Sequence, residues 1–278
     1  MQIGKTSKNK MAFWCWEIDI LLAFATMPPK KSNKSAPVRL KDGLVLHRWI
    51  LSLFGLDDLA SLTKDLKDSK LEWWNEKWNS RYLGTLIDRF YQSDEIPEIL
   101  LRKYDENIFR HTETISSKRH EKLRWKYFQY LSLLFTEIYL DRYFANKEKL
   151  LQDLNTYLTK LQDEEGGAFK DIPPFTLEEL SKVAFWSATG SGKTFIMHMN
   201  VLQYQHYLEE YEKYDSLNRI IILTPNEWLS RQHEKELKDS WFWWELFDKR
   251  ASSTSRKGFI DIIDIHKLED KAGDKTVA

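Results

Sequence analysis

The feature that most constrains the fold is a glycine-rich run at residues 187–194, Ser-Ala-Thr-Gly-Ser-Gly-Lys-Thr. It follows an apolar segment at 183–186 that predicts a β-strand, and it leads into a helix-patterned segment at 194–213. Gly190 and Gly192 allow a tight turn in which backbone N–H groups converge on an anion at the positive end of the following helix. A chance match in a surface loop would lack these flanking elements, so the context predicts a phosphate-binding loop.

The residue types in this loop suit a nucleoside triphosphate. The Lys193 ammonium can reach the β- and γ-phosphates and is the predicted catalytic residue. The Thr194 hydroxyl is the predicted ligand of Mg²⁺, so the expected cofactors are ATP and Mg²⁺. The predicted nucleotide contacts are Ala188, Thr189, Gly190, Ser191, Gly192, Lys193 and Thr194.

The segments after the loop alternate between strand and helix patterns. An apolar strand is predicted at 219–223, a helix from about 227 to 247, and a further strand at 259–265 after a polar loop. Strands that alternate with helices in this way are typical of a parallel α/β sheet. We therefore expect residues 183–278 to form a P-loop domain on a parallel sheet.

Residues 44–161 have the apolar spacing of helices. The clearest example is 122–144, where large apolar side chains recur every three or four residues, and the tryptophans of this half are interpreted as core residues. A basic cluster beside Trp125 has two interpretations, a contact for nucleic-acid phosphates or, the favoured one, the solvated edge of a helix. The cluster comprises Lys118, Arg119, Lys122, Arg124 and Lys126.

Residues 1–26 are interpreted as a cytosolic leader or an over-extended start, with a secretory signal peptide as the alternative. Glu17 and Asp19 interrupt their apolar run, which opposes membrane insertion, and the run is too short to span a bilayer comfortably. A single cysteine, Cys15, excludes an internal disulfide framework. The chain as a whole is formally neutral, which excludes a uniformly basic coat. These features predict a soluble, cytoplasmic protein with no membrane partner.

Breaks in composition predict the domain boundaries. An acidic, glycine-containing segment at 163–167 and two prolines at 173–174 interrupt the helical pattern. We expect a helical accessory region at 27–165, a linker with a short helix at 166–182, and the P-loop domain at 183–278.

Two motifs in the second half resemble those of a known group of motor proteins. Residues 188–194 resemble motif I of superfamily 2 helicases and translocases, in which the first glycine of the general P-loop pattern is not needed, and Ser187 stands at that place here. Residues 224–232, Thr-Pro-Asn-Glu-Trp-Leu-Ser-Arg-Gln, resemble motif Ia. The sequence around motif I, at residues 184–198 and 203–207, is similar to that of DEAD/DEAH-box helicases. This branch includes the Res motor subunits of type III restriction enzymes.

The resemblance implies both a fold and a function. The expected fold is α/β, with a mainly helical N-terminal region and an incomplete RecA-like P-loop domain that has a parallel sheet. The implied function is that of an ATP-dependent DNA helicase or translocase of restriction or defence type. In the family, motif Ia holds a nucleic-acid backbone, which implies that role for Thr224, Pro225 and Asn226, with DNA favoured over RNA.

Later motifs of the family have no match in the chain. No Asp-Glu-x-His box, which holds Mg²⁺ and activates the attacking water, follows residue 265, and no second RecA-like lobe with its arginine finger is recognisable. The sequence is therefore interpreted as the N-terminal part of a motor, with the missing C-terminal portion as its expected partner, in cis or in trans. The chain on its own is expected to be inactive as an ATPase. The alternative is a non-catalytic module that binds nucleic acid or a partner and keeps a vestigial P-loop.

Overall fold

Helices and short parallel strands together make up the fold, which confirms the predicted α/β class. The computed structural model describes residues 22–23, 44–72, 74–75, 79–91, 95–167, 169–188, 190–217, 219–240, 242, 244–246 and 259–267. The α-helices within these residues are α1 (Val45–Ser52), α2 (Leu59–Leu66), α3 (Arg81–Phe90), α4 (Glu98–Ser116), α5 (Tyr127–Ala145), α6 (Lys147–Glu164), α7 (Lys193–Glu210) and α8 (Glu227–Asp239). The strands are β1 (Leu22–Ala23), β2 (Ala184–Phe185), β3 (Ile220–Thr224), β4 (Trp244–Leu246) and β5 (Ile260–Asp264).

Helices α1 to α6, which we call the helical region, agree with the helical pattern of residues 44–161. Helix α5 lies at the centre of this region and contacts α4, α6 and α7. Because it is surrounded, its apolar residues occupy all sides of the helix, and Leu134 and Ile138 are fully buried. The tryptophans that the structure describes here, Trp49, Trp74 and Trp125, are buried in the core, as the sequence predicted.

Helix α7, which begins at the glycine-rich loop, runs parallel to α5 and antiparallel to α4. The contacts show the directions, because Gln129 of α5 meets residue 191 and Asp141 meets Tyr211, whereas Lys103 of α4 meets Glu210. One face of α7 belongs to the core of the helical region. The opposite face contributes Met197 and Val201 to a second, smaller core that includes residues of β3, β5 and α8.

Three parallel strands in the order β3-β5-β4 form a sheet with α8 packed against it, and we call these elements the sheet region. The register pairs Ile220 with Ile260 and Thr224 with Asp264, so β3 and β5 end at the same edge. The helix predicted from 227 to 247 was too long, since α8 ends at Asp239 and β4 follows. The reason is that residues 244–246 pair with β5 and so become part of the sheet.

Strand β2, which precedes the glycine-rich loop, is not paired with the parallel sheet in the described part of the chain. It pairs antiparallel with β1, with Leu22 opposite Phe185 and Ala23 opposite Ala184. The prediction of a strand at 183–186 is therefore correct. The expectation that this strand belongs to the parallel sheet is wrong for the described residues. The two paired residues of β1 lie within the predicted leader, and its other residues lie outside the described residues.

The predicted domain boundary does not coincide with a break in packing. The core of the helical region continues across it into α7, and Asn155 of α6 bonds the backbone of Phe175 in both directions. The division into accessory region, linker and P-loop domain stays a prediction. None of the helices that the structure describes is long and apolar enough to cross a membrane.

Candidate nucleotide-binding site

The glycine-rich loop has the backbone conformation that its glycines predict. Gly190 has φ 78° and Gly192 has φ 81°, both in the left-handed region where a side chain is strained. Gly192 is the N-cap residue of α7, so Lys193 and Thr194 open the helix and its first N–H groups face the loop. Ala188 and Gly190 are exposed to solvent, and Thr189 lies outside the described residues. The turn is open and can admit an anion at the helix N-terminus.

Hydrogen bonds within the loop hold its two ends together. The Lys193 ammonium donates to the backbone oxygen of Ser187 at 3.1 Å, and the Ser191 hydroxyl donates to the Ser187 hydroxyl at 2.8 Å. The Ser191 N–H donates to the Ala188 carbonyl at 3.1 Å, which closes the turn. Ser187 is buried, so the loop is fixed at its strand end, while Lys193 and Thr194 are half-buried.

A residue that sequence reasoning missed, Gln129 in the first turn of α5, also holds the loop. Its carboxamide Nε2 donates to the backbone oxygen of Ser191 at 2.6 Å, and its Oε1 accepts the Lys126 N–H at 2.8 Å. The φ angle of Gly192 favours glycine, and a Cβ atom there would lie 2.4 Å from Gln129 Nε2 and displace this carboxamide from Ser191. The available signal was a Gln three residues after the N-cap residue Lys126, a spacing that is typical of a capping interaction.

The buried carboxylate of Glu137 fixes α7 beside α5 and α4. Its Oε1 accepts a hydrogen bond from Gln203 at 2.7 Å, and its Oε2 accepts bonds from Tyr207 at 2.7 Å and Asn107 at 3.1 Å. Burial raises the pKa of Glu137 to about 7, partly offset by these three hydrogen bonds. Helix α7 therefore has one defined position along α5, and with it the loop at its N-terminus.

A second carboxylate, Asp141, continues the same contact one turn further along α5. It accepts hydrogen bonds from Tyr211, directly after α7, at 2.8 Å and from Tyr104 of α4 at 2.7 Å. The glycine-rich loop is thus anchored through α7 to two helices of the helical region, with tyrosine hydroxyls as repeated donors.

The loop after β3, predicted to contact nucleic acid, has an inward-facing threonine. The Thr224 side chain is buried, and its hydroxyl shares a 2.6 Å hydrogen bond with Ser230 and donates to the Asn226 carbonyl at 3.2 Å. The Asn226 side chain caps α8 by accepting the Leu229 N–H at 2.9 Å. Pro225 and Asn226 are exposed, so a ligand can reach the backbone of this loop and Asn226. The buried Thr224 stabilises the loop from inside.

The basic cluster at 118–126 is largely occupied by interactions within the chain. Lys122 pairs with Glu113 at 2.7 Å and Lys126 with Glu72 at 2.6 Å. Arg119 lies over the Phe195 ring at 4.7 Å from its centroid and bonds Glu236 and Ser240 of the sheet region. These contacts favour the interpretation of the cluster as a structural, solvated edge. They also place Arg119 beside the first turn of α7.

The described acidic residues near the end of β5 have structural contacts. Asp261 pairs with Arg219 at 3.1 Å, and Asp264 accepts the His266 N–H at 3.0 Å. Glu269 and Asp270 lie outside the described residues. Among the residues that the structure describes, no group of three or more His, Cys, Asp or Glu side chains could hold a metal ion.

The comparison with protein families gives one match. The family model described as "Type III restriction enzyme, res subunit" matches residues 135–272. The matched segment begins within α5, runs through the glycine-rich loop and α7, and includes the whole described sheet region. Neither a curated protein nor a solved structure matches the chain.

Proposed function

We propose that the chain binds MgATP at residues 187–194, from the premise that residues 135–272 match the family model of the Res subunits of type III restriction enzymes, which are ATP-dependent, helicase-like motors. The observation that carries the proposal is the loop itself. Two glycines with positive φ open the N-terminus of α7, and a lysine follows immediately. This combination suits the phosphates of a nucleotide because it joins backbone donors, a helix N-terminus and a cation.

In this proposal the loop residues have separate roles. The Lys193 ammonium exchanges its bond to the Ser187 carbonyl for the β- and γ-phosphate oxygens. The N–H groups of Gly190 and of residues 192–194 line the phosphates, while the Ser191 N–H closes the turn. The half-buried Thr194 hydroxyl is the ligand for Mg²⁺. Bound Mg²⁺ would neutralise phosphate charge, and Gln129 would keep the loop in place from the side of α5.

We further propose that the chain is part of an ATP-dependent motor that moves on nucleic acid, with DNA favoured over RNA. The exposed loop at Pro225 and Asn226 is the proposed contact for one strand, and Thr224 supports it from inside. Such a contact is made to the sugar–phosphate backbone, so affinity should fall with added salt and depend little on base sequence. Hydrolysis is proposed to need the acidic box and arginine finger supplied by further polypeptide, in cis or in trans.

Titration of MgATP against wild type and Lys193→Ala tests the nucleotide proposal. A charge-assisted hydrogen bond contributes about 1.5–3 kcal/mol, so the variant should bind about 10- to 150-fold more weakly. Lys182→Ala, which removes an exposed lysine paired with Glu178, serves as the control and should bind like wild type. Equal affinities for wild type and Lys193→Ala would reject the site.

A further inference from the structure

The solvent-facing side of α8 combines an aromatic residue with cations. Five exposed residues at helical spacing lie within about 120° of the helix circumference. We call them the outer face of α8; they are Trp228, Arg231, Gln232, Lys235 and Lys238. The indole of Trp228 is 71% exposed, which is a high value for the largest apolar side chain.

Basic residues predominate among the fully exposed charges of this face, because Glu234, Glu236 and Asp239 of α8 are only partly exposed and the exposed Glu227 is paired. Glu236 turns toward the helical region and pairs with Arg119. Glu227 pairs with Arg231 at 2.8 Å, and both side chains remain exposed. Neither Lys235 nor Lys238 forms an ion pair with a carboxylate in the described part of the chain. Two lysines therefore remain available to a polyanion.

The position of the face in the fold connects it with the proposed strand contact. Helix α8 begins directly after the carboxyl end of β3, and the register places the end of β5 beside it. Ligands of open parallel sheets bind at this edge. From Trp228 to Lys238 the face extends about 15 Å along the helix, away from the loop at Pro225.

We propose that the outer face of α8 binds single-stranded nucleic acid, with Trp228 stacked on a base and Lys235 and Lys238 on phosphates. Aromatic stacking combined with a cationic track is the arrangement that holds single strands without sequence preference. The inference rests on the proposed function, and it adds a base contact to a site that otherwise touches only the backbone. A duplex hides its bases within the stack, so the occupant is a single strand.

The test compares a fluorescein-labelled oligothymidylate with an abasic strand of the same length, which has the phosphates but no bases. Trp228→Ala should weaken binding of the oligothymidylate about 5- to 150-fold and leave binding of the abasic strand unchanged. Trp228→Phe should retain most of the affinity. The double variant Lys235→Glu with Lys238→Glu should weaken binding of both strands alike.

Two exposed residues outside α8 provide matched controls. Ile99 is 80% exposed on α4, and Lys160 is exposed on α6. Ile99→Ala and Lys160→Glu should bind both strands like wild type. Because Trp228 is exposed, its variants should also keep the wild-type thermal midpoint, which separates loss of contact from loss of fold.

Several outcomes would overturn the inference and separate it from the proposed function. Equal binding of oligothymidylate by wild type and Trp228→Ala rejects the stacking contact but leaves strand binding intact. Lys193-dependent binding of MgATP without any strand binding rejects this face and leaves the nucleotide site intact. If Trp228→Ala changes the sedimentation of the protein rather than its affinity for the strand, the face is a protein contact and the proposal fails.

Discussion

The helical region and the sheet region bury polar groups in different ways. In the helical region, Glu137 and Asp105 lie inside the core and accept hydrogen bonds from neutral donors, Asp105 from Tyr130 and the Ser80 N–H. In the sheet region the apolar core is small, Thr224 is buried at the carboxyl end of its strand, and the buried Asp261 pairs with a charged residue, Arg219. The helical region thus fixes the glycine-rich loop in place, while the sheet region carries the proposed surface for a strand.

Helix α7 joins the two regions, and its residues are divided between them. Gln203 and Tyr207 bond Glu137 of the helical region, whereas Met197 and Val201 pack in the core of the sheet region. Between these faces, Nδ1 of the buried His198 ring and the Ser240 hydroxyl at the end of α8 share a 2.9 Å hydrogen bond. A ligand bound at the loop would therefore contact a helix, α7, that packs against both regions.

The largest effect is expected from Glu137→Ala, which leaves the Gln203, Tyr207 and Asn107 donors buried without their acceptor. We expect the free energy of unfolding to fall by about 3 to 5 kcal/mol. Chemical denaturation measures this value. The control Glu164→Ala removes an exposed acid at the end of α6 and should change stability by less than about 0.5 kcal/mol. A similarly small loss for Glu137→Ala would show that the carboxylate does not anchor α7.

A smaller effect should come from acidification, through His198 between the two regions. Burial lowers the pKa of His198 to about 3, below its ordinary value of 6.5. The unfolded chain then binds the extra proton first, so stability is lost as pH falls below about 6.5, by about 2 kcal/mol at pH 5. His198→Gln should reduce the loss between pH 6.5 and pH 5 by about this amount, because His47 and His111, whose pKa values burial also lowers, act alike in both proteins. The raised pKa of Glu137 opposes the trend equally in both proteins, so parallel curves for wild type and variant would contradict the assignment.

The smallest effect is expected from Lys126→Ala in the basic cluster of the helical region. Its ion pair with Glu72 is formed by a lysine that is 54% exposed, and such pairs contribute about 0 to 1 kcal/mol. Strand affinity should also change little, in contrast to the lysines of α8. A large loss of strand binding in Lys126→Ala would show that this cluster contacts the nucleic acid.

The sequence predicted the parts of the fold that local patterns determine. The glycine-rich loop, α7 and the strands β3 and β5 follow from periodicity and from the special conformation of glycine, and they were located within a few residues. The roles of Gln129 and Glu137 could not be predicted, because their partners lie more than sixty residues away in the chain. Gln129 contacts residue 191, and Glu137 contacts residues 203 and 207. Strand β2 shows the same limit, since nothing in residues 183–186 specifies pairing with Leu22 and Ala23.

The prediction for α8 failed for a different reason. Trp241, Trp243 and Trp244 continue an apolar pattern that a helix could also show, and only pairing of Trp244 with Ile260 identifies β4. The inward orientation of Thr224 was missed because its partner, Ser230, lies on the following helix. For β4, tertiary pairing outweighed a local pattern.

The central claim is that α5 and α7 together form the nucleotide site, and hydrogen exchange with and without MgATP tests it most directly. MgATP should slow amide exchange both in a peptide covering 187–196 and in one covering 126–130, because Gln129 bonds the loop at Ser191. Lys193→Ala should show neither change at the same MgATP concentration. Protection confined to 187–196, or protection that persists in Lys193→Ala, would contradict the account.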